Sequence, residues 1–247
     1  MSYNKSETFF GLFQSYVSSS SKLNGVLRDY ENLSKLSDTL EQVGYPKFHL
    51  YLNSELTKAK VLFQLTSLNP SIIWWCGHGE LIEDKNVFLM GNETNLNSTE
   101  NIRDDAFSIA VHQNVAPRVL FVFDFCHSCT MINLKYYYAE GNFHKKVLDT
   151  RPTFWDDDPD LLRISIAGAS DFSSTTEDSI RGGVLTQYLL YLIYKYGYIT
   201  LNLFEADRPY TLKECIISVN KPIDLDFAFL SFTSVEQFRK LKYIIEF

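Results

Sequence analysis

Basic charge is scarce in this 247-residue chain: 23 Lys and Arg stand against 30 Asp and Glu, a formal net charge of −7. That balance argues against a nucleic-acid partner, whose phosphates call for a basic face. Cysteine is also rare. The four thiols, Cys76, Cys126, Cys129 and Cys215, are too few and too unevenly spaced for the disulfide framework of a small secreted domain. They read as reduced thiols of a cytoplasmic protein. No stretch approaches the ~18 consecutive apolar residues of a spanning helix. Residues 184–204 come nearest and are interrupted by Gln187, Lys195, Gly197 and Asn202. The polar opening and the short apolar run Phe9–Phe13 lack the form of a signal peptide. Internal repeats and low-complexity tracts are missing too. The expectation is a soluble, cytoplasmic chain that meets neither membrane nor nucleic acid.

Apolar and aromatic residues, by contrast, are plentiful, at 45% and 15% of the chain. A single domain of this size buries enough surface to need no disulfide or metal for its core. Short apolar runs alternate with amphipathic stretches, the pattern of an α/β domain with a mainly parallel sheet of about six strands and helices on both faces. Strands are expected at 8–13, 48–52, 71–76, 118–125 and 162–167, with a late one at 227–232, antiparallel at an edge. Leu23, Val26, Leu27, Tyr30, Leu33, Leu36, Leu40 and Val43 recur at helical steps, ending before Gly44 and Pro46. Further helices fit 55–65, 104–112, 184–196 and 235–243. Residues 140–160 show no periodicity and carry Lys145, Lys146 and Arg151 before an acidic run. They read as an exposed loop between the larger and smaller halves of one domain, 1–247.

Two of the runs, 72–76 and 119–123, are apolar throughout, as in strands covered on both faces. Each ends in reactive residues: Cys76-Gly77-His78-Gly79 after the first, Asp124-Phe125-Cys126-His127 after the second. Sites in parallel sheets form outside the carboxyl ends of strands. If the two strands are neighbours, His78 and Cys126 meet there, and an imidazole beside a thiol makes a thiolate nucleophile. The N–H groups of Gly79 and Cys126 would then receive a developing oxyanion, a contribution of ~3–4 kcal/mol per donor. Two other readings use the same residues. Cys76, His78, Cys126 and Cys129 would make a tetrahedral zinc module, or the domain would be an inactive scaffold that binds partners without cutting.

The segments Trp75-Cys76-Gly77-His78-Gly79 and Asp124-Phe125-Cys126-His127-Ser128 resemble the two motifs of metacaspases, caspase-fold cysteine peptidases. Leu23 to Asp29, Thr130 to Leu134 and Gly183-Val184-Leu185-Thr186 are similar to further elements of that family, in family order, over residues 8–195. The resemblance implies a caspase-like sandwich without a prodomain, His78 as general base and Cys126 as nucleophile. It also implies a pocket lined by Asp29, Asp124 and Cys76 that takes Arg or Lys before the scissile bond of a protein or peptide substrate. Two carboxylates near a guanidinium each attract it by roughly 4 kcal/mol at an effective dielectric near 20. Cys76, Val26 and Cys129 depart from the family's usual Ser, Cys and Gly. Calcium stimulation is implied through Asp104, Asp105 and Asn133, the last standing where the family has Asp; the other reading is that the two Asp residues favour a helix N-terminus. Self-cleavage in the following loop is implied as well, at Lys145 or Lys146, since Pro152 disfavours a cut after Arg151.

Overall fold

The computed structural model describes residues 7–42, 44–92, 94–146, 160–170, 177–178 and 182–231. In chain order it begins with β1 (Phe9–Phe13), α1 (Asn24–Glu41), β2 (His49–Leu52), α2 (Lys58–Ser67) and β3 (Ile72–Cys76). A meander follows, β4 (Gly79–Ile82), β5 (Lys85–Phe88) and β6 (Ile102–Arg103), then α3 (Asp104–His112) and β7 (Arg118–Asp124). Next come β8 (Tyr136–Ala139), β9 (Asn142–Lys145), β10 (Leu162–Ala167), β11 (Glu177–Asp178) and β12 (Gly182–Gly183). The last elements are α4 (Val184–Tyr196), β13 (Tyr198–Ile199), α5 (Leu201–Ala206), β14 (Ile216–Val219) and β15 (Leu230–Ser231).

The main sheet has eight strands in the order β2-β1-β3-β7-β10-β14-β8-β9. The five from β2 to β10 run parallel, and β14, β8 and β9 add antiparallel pairings. β3 and β7 are indeed central, because their alternate residues feed two separate cores. Trp74, Cys76, Leu120 and Val122 pack with residues of α1 and α4. Ile73, Trp75, Phe121 and Phe123 pack with residues of α2 and α3 on the other face. Adjacent Trp74 and Trp75 are thus both fully buried, on opposite sides.

Three sequence expectations need correction. The sheet has eight strands, not six: the hairpin at 136–145, where a loop was expected from residue 140, and the unforeseen β14 join it, while the expected late strand does not. Glu140 and Gly141, at φ 50° and 81°, form the hairpin's two-residue turn. A turn with positive φ at both positions matches the twist of the flanking strands, but Glu is an unusual residue to supply it. Stacked Tyr137–His144 and tilted Tyr138–Phe143 pairs hold the two strands. Lys145 therefore ends a strand, and the Lys146 N–H bonds the Lys135 carbonyl at 2.9 Å. Neither lysine lies in an open loop. The late strand, finally, pairs with β13 as a separate ribbon rather than at the sheet edge. The helix expected at 235–243, Arg151 and most of the expected loop fall outside the described residues.

Candidate active site

Parallel pairing of β3 with β7 sets Cys76 opposite Asp124. His78 and Cys126 each come two residues later, so both leave the sheet at the same level on neighbouring strands. The crossing is tight. A Cβ on Gly79 would collide with the Cys126 carbonyl oxygen and with the Phe125 ring, so only glycine lets these two backbones meet. His127 takes φ 54° immediately after Cys126, a left-handed turn that ends the strand direction and leaves Cys126 half-buried.

The meander that follows His78 had no counterpart in the sequence expectations. Its β4–β5 turn is made by Glu83 and Asp84, both at positive φ, neither of them a strong turn signal. This meander fixes the histidine's backbone, since the Leu89 N–H bonds the His78 carbonyl at 3.0 Å.

Tyr16 fixes the rest. Its hydroxyl accepts the His78 N–H at 2.8 Å and donates to the Leu89 carbonyl at 2.8 Å. Its ring lies 4.7 Å from the imidazole, centroid to centroid. Burial pushes the phenol's pKa well above its ordinary value, so it stays a donor. The far nitrogen of His78, Nε2, lies 2.7 Å from the Ser21 carbonyl oxygen. A carbonyl only accepts, so Nε2 carries the hydrogen and a neutral ring keeps Nδ1 as its proton acceptor. Sequence reasoning found neither Tyr16 nor Ser21, which follow β1 without periodicity. Tyr16→Phe keeps the ring but orphans one buried carbonyl and one N–H. Its expected cost is about 2–3 kcal/mol, measured as a shift of the urea midpoint at unchanged m-value.

At the strand ends themselves, two residues before His78 and Cys126, Asp124 converges with Asp29. Asp29 is 0% exposed although it sits on a helix. It occupies the buried stripe of α1 with Val26, Leu33, Leu36 and Leu40, so a solvated helix position does not describe it. Its carboxylate accepts the Gly183 N–H and the Gln187 side-chain amide, each at 2.9 Å. The Asp124 Oδ2 accepts the Thr186 N–H at 2.8 Å. Gly183 is the N-cap of α4 and Thr186 lies in its first turn, where free N–H groups and the helix dipole favour anions. That is how two carboxylates are tolerated side by side. A Cβ on Gly182 or Gly183 would strike these carboxylates, which explains the glycine pair. Compensation is incomplete. The Asp124 Oδ1 is buried without a hydrogen-bond partner among the described residues, and burial pushes this carboxyl up to about 6. The Cys76 thiol faces the Thr186 hydroxyl at 3.3 Å and is held well above its usual pKa by burial and by both aspartates.

The remaining candidates lie apart from this centre. Asp104 starts α3 and is buried, its Oδ2 accepting the Asn86 N–H at 3.2 Å and its Oδ1 4.0 Å from the Lys85 ammonium. The Asp105 carboxylate faces Arg103 at 3.9 Å and its own helix N-terminus. Asn133 is half-buried. A calcium cage takes six to eight converging oxygens; the contacts described for these two carboxylates are to backbone amides and basic groups. Cys76, His78, Cys126 and Cys129 do not assemble as zinc ligands. Among the described residues, the metal-capable group that converges is Asp29, Cys76 and Asp124.

No protein-family model matches this chain, and no curated protein matches it. Solved structures do. A protein from Geobacter sulfurreducens superposes with a TM-score of 0.59 at 15% identity, over 92% of this chain and 100% of the other. Caspase-1 from Spodoptera frugiperda superposes with a TM-score of 0.55 at 13% identity, over 94% of this chain and 95% of its own. The class is therefore set by architecture: the chain has a caspase-like α/β fold. No described helix is long and apolar enough to cross a membrane.

Proposed function

We propose that this protein is a metacaspase-like cysteine endopeptidase that cleaves protein and peptide substrates after Arg or Lys. The observation that carries the proposal is the pairing of Cys76 with Asp124. It supports a histidine and a cysteine meeting just beyond adjoining strand ends, with the buried carboxylates of Asp29 and Asp124 close by. His78 Nδ1 takes the Cys126 thiol proton, and the thiolate attacks the carbonyl carbon of the basic residue. The oxyanion forms against the N–H groups of Gly79 and Cys126. As the intermediate collapses, the His78 imidazolium returns its proton to the leaving amine, and a thioester remains on Cys126. Water, deprotonated by His78, then releases the acid and restores the thiol.

Specificity follows from charge. The substrate's guanidinium or ammonium enters between Asp29 and Asp124 and supplies the missing partner of Oδ1. Each carboxylate attracts it by roughly 4 kcal/mol before desolvation is subtracted. An Asp side chain would be repelled by the same two groups. The purified protein is therefore expected to turn over fluorogenic peptides ending in Arg or Lys and to leave Asp-ended ones intact. Equal rates on both kinds would refute the basic pocket, and no turnover of any peptide would point to an inactive scaffold.

A further inference from the structure

Asp29, Cys76 and Asp124 come from α1, β3 and the end of β7 and place two oxygens and a sulfur within 4.8 Å of one another. All three side chains are buried, none more than 5% exposed. Atoms at that spacing surround a point at most about 2.8 Å from each, which is 4.8 Å divided by the square root of three. Zinc binds carboxylate oxygen and thiolate sulfur at about 2.0–2.3 Å. A contraction of roughly half an ångström would thus bring three ligands into bonding range, with water in the fourth position. The Asp124 Oδ1, already dehydrated and without a hydrogen-bond partner among the described residues, loses nothing by coordinating.

The ligand chemistry narrows the ion. A thiolate with two carboxylates suits a borderline or soft divalent metal, whereas calcium and magnesium demand more oxygens and gain nothing from sulfur. Cys76 binds as the thiolate, and its proton leaves to solvent as the metal enters. We infer that Asp29, Cys76 and Asp124 form a site for zinc or cadmium, whose occupation closes the pocket to a basic side chain. The metal site rests on geometry alone. Its blocking effect rests on the pocket's proposed role.

The two can be tested apart. Full-length Cys126→Ala protein, which lacks the half-buried strand-end thiol, is titrated with cadmium while the ultraviolet thiolate-to-metal charge-transfer band is followed. A saturable band is expected. It should vanish in Cys126→Ala/Cys76→Ser, and the affinity should fall about tenfold or more in Cys126→Ala/Asp124→Asn, since binding follows ligand charge. Thermal unfolding of each variant checks that the fold is intact. No band in Cys126→Ala, or a band that survives Cys76→Ser and so belongs to Cys129 or Cys215, would overturn the site. Benzamidine, an amidinium of the kind the pocket should accept, is then added to the cadmium complex. Loss of the band supports mutual exclusion. A Cys76-dependent band that benzamidine leaves untouched would keep the metal site and remove the blocking effect together with the basic pocket.

Discussion

Cys126→Ala is expected to lower peptide turnover by about 10⁴-fold or more, the scale seen when a nucleophile or its base is removed. His78→Ala should do nearly the same, and the double variant should be little worse than either. Two groups that perform one proton transfer fail together, so their effects do not add. The comparison is made by single-turnover assay on an Arg-ended peptide, with thermal unfolding of each variant as a control. Cys126 is half-buried and outside both apolar cores, so its truncation should barely alter stability. Additive losses in the double variant would mean that the two residues act independently and would sink the dyad.

The second large effect belongs to Asp124→Asn. Asparagine keeps the shape and can still accept the Thr186 N–H, so the first turn of α4 stays capped. What is lost is one of the two charges facing the substrate's basic group. A fall in kcat/KM on Arg-ended peptides of about a hundredfold is expected, equivalent to about 2.7 kcal/mol. That is smaller than the bare attraction because the incoming cation also sheds its water. Stability should move the other way. The wild-type carboxylate is buried with one oxygen lacking a hydrogen-bond partner among the described residues, so a neutral amide relieves a desolvation cost. Urea denaturation of the pair is expected to show a midpoint for the variant at or above that of the wild type. A variant both inactive and unstable would instead mark Asp124 as a structural residue.

Much of this was legible in the sequence. The fully apolar runs 72–76 and 119–123 announced strands covered on both faces, and the reactive residues after them pointed to a candidate site at their ends. Boundaries of α3, α4 and β10 follow from periodicity alone. Asp29 was legible in part, because it sits at helical spacing among Val26, Leu33 and Leu36, though position alone did not separate a buried acid from a solvated one. Other features left no local trace. The hairpins at 79–88 and 136–145 turn through Glu83-Asp84 and Glu140-Gly141, and acidic residues at positive φ carry a weak signal. Tyr16 acts on His78 across 62 positions, a contact only the completed sheet creates. The same holds for Ser21, whose contribution is a backbone oxygen and so has no side-chain signature at all.

The hairpin β8–β9 has a bearing on assembly. Strand β14 would otherwise finish the sheet and offer its row of free amides and carbonyls to another molecule. Here that row is taken by β8 along Ile217, Ser218 and Val219. Two copies of this protein cannot zip together through β14, so any dimer it forms must be built on a different border.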